Sequence, residues 1–138
     1  MNEESTTPDL VELTQLVFEA ANQRDIDAIM SFVAPDAVLD GRADLLEGRA
    51  AIRGFVEEWF GSFAELRYEV EEFVVLDDGV VLAVVYQEGR PVGVGGRVHQ
   101  REGWAICWSA DGLIVRLTTH TDIDEARAAA ERLAKERG

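Results

Sequence analysis

Residues 66–75 read LRYEVEEFVV, and here the hydrophobic pattern of the chain changes from a helical period to strict alternation. Leu66, Tyr68 and Val70 alternate with charged residues, which is typical of a strand that has one exposed face. The alternation changes phase before Phe73, so the pattern predicts a β-bulge at residues 71–72.

Beyond this stretch the sequence predicts three further strands and a last helix. The strands are Val80–Glu88, Arg97–Trp108 and Leu113–Thr121, and hairpin turns are expected at Asp77-Asp78-Gly79 and Asp111-Gly112. Between the first two of these strands lies a glycine-rich connection, residues 89–96. Asp122 and Glu125 have the spacing of a capping box, which predicts a helix after the last strand.

Before this stretch the apolar residues follow a helical period. Asp9 is expected to cap a first helix, and Asp25 a second that ends at Pro35. A short strand at 37–40, a loop at 41–48 and a third helix at 49–60 follow. The fold class is therefore α+β: a curved antiparallel sheet wrapped by three N-terminal helices around a cone-shaped pocket, with a C-terminal helix. Residues 1–8 are expected to be loose and residues 9–136 to form one domain.

Composition and charge exclude several classes of partner. The formal net charge is −14, and Lys135 is the only lysine, so binding to nucleic acid or to an anionic membrane is not expected. The first residues lack the features of a secretory signal, and no apolar run approaches the ~18 residues of a membrane span, which predicts a cytoplasmic protein. Cys107 is the only cysteine, and no residue spacing suggests a metal site or a cofactor.

Four short motifs resemble one known family. They are Phe18–Asp27, at the exit of the first helix, Phe32–Val38, Glu47–Ile52 and Asp111–Leu117. Their order and spacing resemble the SnoaL-like branch of the nuclear-transport-factor-2-like (NTF2-like) superfamily, which includes polyketide cyclases and ketosteroid isomerases. The resemblance covers roughly residues 9–130 and is specific for the fold, because this superfamily carries many functions.

The resemblance implies a pocket for a small apolar molecule, and two functions stay open. One is cofactor-free acid–base catalysis: isomerisation, cyclisation, dehydration or hydrolysis. The other is non-catalytic binding of a small hydrophobic ligand. A ketosteroid isomerase stabilises its enolate with a tyrosine and a neutral aspartate. The resemblance puts Val17 and Trp104 at those two positions, so that mechanism is not expected here.

Asp40 is the candidate catalytic base, because it ends a predicted strand amid apolar residues. It is equally placed to be a turn residue before Gly41. The candidate ligand-binding residues are mainly aromatic or apolar: Val17, Phe18, Trp59, Tyr86, Trp104 and Thr119. Tyr86 is able to donate to a substrate oxygen or to a backbone carbonyl.

Three cationic or titratable side chains have directions that the sequence leaves open. Strand parity puts His120 on the outer face of the sheet. The same holds for His99 and Arg101, unless a bulge at Gly103 inverts their strand.

The central strands also predict a homodimer. Residues 80–85 and 104–108 are apolar on both faces, whereas an antiparallel sheet with one face in water alternates. With no helix assigned to the outer face, a second copy of the chain is expected to cover it.

Overall fold

The computed structural model describes residues 9–41, 45–76 and 79–137, and these form four helices and six strands. The helices are α1 (Leu10–Asn22), α2 (Ile26–Met30), α3 (Arg49–Gly61) and α4 (Ile123–Arg137). The strands are β1 (Val33–Asp40), β2 (Leu45–Glu47), β3 (Phe63–Val75), β4 (Val80–Pro91), β5 (Val98–Trp108) and β6 (Ile114–His120). The α+β class is therefore confirmed. The predicted loose segment 1–8 and Asp77-Asp78 of the first hairpin turn lie outside the described residues.

All six strands belong to one sheet, in the order β2-β1-β6-β5-β4-β3. Strands β3 to β6 pair antiparallel, as predicted, but β1 lies parallel to β6, so the sheet is mixed. The register of β3 against β4 shifts between Val70 and Glu72, which confirms the predicted bulge. An extra residue on one strand increases the local bend and twist, and this helps a long sheet to curve.

Aspartates begin three of the four helices. The side chains of Asp9, Asp25 and Asp122 accept hydrogen bonds from backbone amides two or three residues later, at 2.8–3.2 Å. These bonds satisfy amides that have no partner within the helix. The three predicted caps are confirmed.

Two predicted boundaries are wrong. Helix α2 ends at Met30, and Pro35 lies inside β1, where the register with β6 is irregular between Val33 and Val38. A proline has no amide hydrogen for the sheet, so it fits such an irregular stretch. The predicted loop 41–48 contains the short strand β2, which pairs with the end of β1.

The outer face of the sheet is covered by α4. Val80, Leu82, Ala105 and Cys107 form a buried cluster with the apolar side of this helix: Ala126, Ala130 and Leu133. A Cβ atom on Gly103 would lie 2.2 Å from the Cβ of Ala126, so the helix rests directly on the glycine. The premise of the dimer argument, that no helix covers this face, is therefore wrong. The homodimer itself stays a prediction.

The inner face of the sheet is covered by α1, α2 and α3. Phe18 of α1, Ile29 of α2 and Ile52 of α3 belong to one buried cluster with Ala83 and Val85 of β4. Within residues 9–41, 45–76 and 79–137, no helix is long and apolar enough to cross a membrane.

Candidate functional site

A cavity of about 280 Å³ lies between the inner face of the sheet and the three N-terminal helices. Five of the predicted ligand-binding residues line it: Val17 and Phe18 from α1, Trp59 from α3, Trp104 from β5 and Thr119 from β6. Most other lining residues are apolar as well. Concave sites of this kind, with a few convergent polar groups, are where small molecules bind in proteins.

Two predicted site residues do not line the cavity. Asp40 is half-buried at the end of β1 and does not line the cavity, whereas Val38, Leu39 and Gly41 do. In the register with β6, Leu39 pairs with Leu117, which also lines the cavity, and Asp40 pairs with Thr118, which does not. Because side chains alternate along a strand, Asp40 belongs to the opposite face. A catalytic role for Asp40 stays a prediction that this geometry does not support.

Tyr86 lies on the outer face. Its ring centroid is 6.0 Å from that of His99, and the guanidinium carbon of Arg101 lies 5.8 Å from it. The prediction that Tyr86 lines the cavity is therefore wrong. Residues 80–85, which precede Tyr86, are buried on both faces of the sheet. Their sequence therefore does not alternate between apolar and polar residues, and it does not indicate which face Tyr86 occupies.

The structure settles the three directions that the sequence left open. His99 and Arg101 lie on the outer face with Tyr86, and Arg101 forms an ion pair with Glu71 of the bulge. His120 pairs with Gly103 across the strands and contacts the hydroxyl of Thr118 at 3.1 Å. None of the three cationic or titratable side chains lines the cavity.

A buried carboxylate, Glu102, lines the cavity from β5 and is only 3% exposed. The side-chain amide of Gln100 donates to its Oε2 atom, and the indole Nε1 of Trp104 donates to its Oε1 atom at 3.0 Å. Donors on both oxygens fix the orientation of the group. Among the lining residues in the described part of the chain, Glu102 is the only acidic or basic one.

A buried phenol, Tyr68 of β3, also lines the cavity and is 5% exposed. Burial raises the pKa of Tyr68 from 10.0 to about 12, and the charge of Glu102 adds to this, whereas Trp59 and Arg24 act in the opposite direction. The phenol is therefore neutral at physiological pH. Its oxygen accepts a hydrogen bond from Nε1 of Trp59 at 2.9 Å. Within the described residues its own proton meets no acceptor, so the group is able to donate to a bound molecule.

A third polar side chain, Gln87 of β4, is 7% exposed and lines the same cavity. Its side-chain amide forms no hydrogen bond with any other described residue. The inner face thus presents a carboxylate, a neutral phenol and an amide to a space that is otherwise almost wholly apolar.

The sequence analysis missed Tyr68, Gln87 and Glu102. One signal was available, which is strand parity: Glu102 is two residues from Trp104, and Tyr68 stands between the inward residues Leu66 and Val70. No group of three His, Cys, Asp or Glu side chains able to hold a metal ion occurs in residues 9–41, 45–76 and 79–137.

The sequence matches the model of a known protein family. The model of the SnoaL-like domain matches residues 14–117, which is most of the chain. No curated protein is significantly similar to the sequence.

Solved structures with the same fold include several NTF2-like proteins. SalBIII, an epoxide hydrolase/cyclase-like enzyme in pyran ring formation in the polyether salinomycin, has a TM-score of 0.75 at 20% identity, over 90% of this chain and 96% of that one. A putative polyketide cyclase of Xanthomonas campestris pv. campestris has a TM-score of 0.68 at 26% identity, over 88% and 96%. A Mycobacterium tuberculosis protein in complex with estradiol-17beta-hemisuccinate has a TM-score of 0.73 at 15% identity, over 83% and 95%.

Proposed function

The chain belongs to the SnoaL-like domain family, and we propose that it binds a small, largely apolar carbonyl compound in its cavity and catalyses proton transfer on it without a cofactor. One observation carries the proposal: the buried carboxylate of Glu102 and the donor-competent phenol of Tyr68 line the same apolar space. Isomerisation and cyclisation of carbonyl compounds both begin with such a proton transfer.

In the proposed reaction, Glu102 is the general base. Its carboxylate takes a proton from the carbon next to the carbonyl group, and the electron pair of that C–H bond moves to form a C=C bond. The carbonyl oxygen becomes an enolate oxygen, and the Tyr68 hydroxyl donates a hydrogen bond to it. The enolate then takes the proton back at another carbon, which is isomerisation, or attacks an electrophilic carbon of the same molecule, which is cyclisation.

The surroundings of both groups suit these roles. Trp104 and Gln100 hold the two oxygens of Glu102, so the base is positioned before the substrate arrives. Trp59 donates to the Tyr68 oxygen, which polarises the phenol and strengthens its own proton as a donor. In a site that excludes water, a donor aimed at the developing oxyanion contributes strongly to catalysis.

Relatives of the same fold support this class of substrate. SalBIII acts in the formation of a pyran ring, and the relative from Xanthomonas is a putative polyketide cyclase. The Mycobacterium protein holds an estradiol derivative, which is a largely apolar ring system. A cytoplasmic location, predicted from the sequence, is part of the proposal.

A second candidate function is binding without catalysis. It is favoured by the lining itself, in which Tyr68, Gln87, Glu102 and Thr119 are the polar members and the rest are apolar residues and two tryptophans. In that case Glu102 serves as an acceptor for a ligand donor group.

The two functions are separated by hydrogen exchange on a ketone probe. We expect the protein to accelerate the exchange of the α-protons of 1-tetralone in D₂O, followed by NMR. Glu102→Gln should lower the enzymatic rate by about 10²-fold or more, and Tyr68→Phe by about 10²-fold. Glu72→Gln, an exposed carboxylate of β3, is the control and should keep the full rate.

The outcome that contradicts catalysis is also clear. Exchange that is no faster than in buffer, while 1-tetralone still shifts NMR signals of residues around the cavity, would identify a binding protein. An unchanged rate in Glu102→Gln would remove Glu102 as the base.

A further inference from the structure

A second space adjoins the cavity at the loop end of the β4–β5 hairpin. This groove has a volume of about 240 Å³ and is lined by Trp59, Phe63, Gln87, Val98, His99 and Gln100. Trp59 and Gln87 line the cavity as well, so these two side chains form the shared wall. The groove is more polar than the cavity, because the side-chain amides of Gln87 and Gln100 contribute to it.

One half of the shared wall is fixed. Trp59 stacks on Phe55 with ring centroids 6.4 Å apart and meets Phe63 edge-on at 4.9 Å. Its indole Nε1 is held by the Tyr68 oxygen. A side chain with contacts on both faces and a hydrogen bond at its edge stays in place, so Gln87 is the part of the wall that is able to respond to a ligand.

The other half, Gln87, lacks partners. The residue is 7% exposed, and its amide forms no hydrogen bond to any residue in the described part of the chain. The fully enclosed side-chain atoms without a partner in those residues are Arg24 Nη2 and Arg116 Nε, so the Gln87 amide is open to the cavity and the groove that it lines. Water that hydrates such an amide is displaced without loss of affinity only by a ligand group that reproduces its hydrogen bonds. Since the amide has both donors and an acceptor, it fits a ligand group that also does both, above all a hydroxyl.

Resting on the proposed function, we propose that the ligand is longer than the cavity: its apolar ring body fills the cavity, and a hydroxyl-bearing side chain passes Gln87 into the groove. Gln87 is then the residue that selects for the oxygen of this side chain. In the groove, Gln100 has used its amide nitrogen on Glu102, which leaves its amide oxygen to accept from the same hydroxyl end.

Two matched probes test the contact with Gln87. 2-Ethoxynaphthalene and 2-(2-naphthyloxy)ethanol share one skeleton and differ by a terminal hydroxyl, and calorimetric titration gives their Kd values. The wild-type protein should bind the alcohol about fivefold to tenfold more tightly. Gln87→Leu, which keeps the volume and removes the amide, should abolish this preference and retain affinity for the ether.

A second pair of variants tests the groove. Val98→Phe fills it and should weaken both extended probes about tenfold, while naphthalene, which has no side chain, should bind as before. Val94→Phe is the control, because Val94 is exposed on the same hairpin and does not line the groove. It should change none of the three affinities.

The outcomes separate this inference from the function on which it rests. If the wild-type protein shows no preference for the alcohol, or if Gln87→Leu retains it, Gln87 is satisfied by water alone and the inference is wrong. If Val98→Phe affects no probe, the side chain does not enter the groove, and again the inference fails while binding stands. A wild-type protein that binds none of the three naphthalenes would contradict the binding function itself.

Discussion

Alternate residues of β5 point to the two faces of the sheet, and the two faces differ in how closely they are packed. On the inner face, Glu102 and Trp104 are large and line a cavity. On the outer face, Gly103 and Ala105 are small and let α4 rest directly on the sheet. The difference shows that a single strand is able to supply both the close packing that stabilises the fold and the open space that binds a ligand.

The two faces differ in energetics for the same reason. Apolar side chains between β4, β5 and α4 are almost wholly buried, so each contributes the full free energy of burial. Cavity-lining side chains have no protein atoms on one side, so they contribute less and leave polar groups without partners. Functional sites commonly have this lower stability, and three comparisons between variants measure the contrast.

The largest effect is expected for Gly103→Ala, which breaks the outer face. The new Cβ would overlap Ala126, so helix and sheet must move apart. We expect the free energy of unfolding, measured by urea denaturation, to fall by about 3 kcal/mol or more.

Gly54→Ala is the matched control, because no atom lies within 4 Å of the corresponding Cβ position in α3. Because alanine has a higher helix propensity than glycine, this substitution should raise the free energy of unfolding by about 0.5–1 kcal/mol. A Gly103→Ala variant as stable as the wild type would show that α4 does not rest on β5.

Much of the fold was predictable because local patterns specify it. The bulge near Glu71 follows from a change of phase, and the aspartate caps follow from their spacing before apolar helical faces. The parallel pairing of β1 with β6 was not predictable, because it depends on tertiary packing between segments far apart in the sequence. The prediction that the second helix ends at Pro35 was wrong for a similar reason, because no local sequence pattern indicates that this proline lies in an irregular strand.

The apolar part of the site was predictable, and the polar part was not. Phe18, Trp59 and Trp104 are large, apolar and at inward positions, so pattern alone identified them. Glu102 was missed because a glutamate in a strand usually faces water, and hydrogen-bond donors such as Gln100 and Trp104 are needed to make its burial tolerable. Tyr86 was misplaced because the run before it is buried on both faces.

The second largest effect is expected in the free energy of unfolding at alkaline pH, where Tyr68 on the inner face titrates. The pKa of Tyr68 is raised by burial to about 12, against 10.0 for an ordinary tyrosine. Below pH 10 both folded and unfolded chains keep this proton; between pH 10 and about 12 the unfolded chain loses it first, so stability falls as the pH rises. The loss reaches about 3 kcal/mol at most.

Urea denaturation at pH 9 and pH 11.5 checks this. The decrease in stability between the two pH values should be smaller by about 2 kcal/mol in Tyr68→Phe than in the wild type. Tyr86→Phe, on the outer face, leaves Tyr68 as the only tyrosine and should retain the wild-type decrease. Equal decreases in the wild type and in Tyr68→Phe would contradict a buried phenol.

The smallest effect is a difference between two leucines. Leu82→Ala removes a side chain that is fully enclosed on the outer face, whereas Leu39→Ala removes one that lines the cavity. Both should destabilise, and Leu82→Ala should cost about 1–2 kcal/mol more, because Leu39 already borders open space. Equal costs by urea denaturation would mean that the inner face is as densely packed as the outer one.

The central claim is that Glu102 and Tyr68 together receive a carbonyl compound on the inner face. A crystal structure of the protein soaked with 1-tetralone tests it most directly. The account predicts the ketone in the cavity, with its oxygen within hydrogen-bond distance of the Tyr68 hydroxyl and its α-carbon next to a carboxylate oxygen of Glu102. Electron density for the ketone outside the cavity, or with its oxygen turned away from Tyr68, would contradict the account.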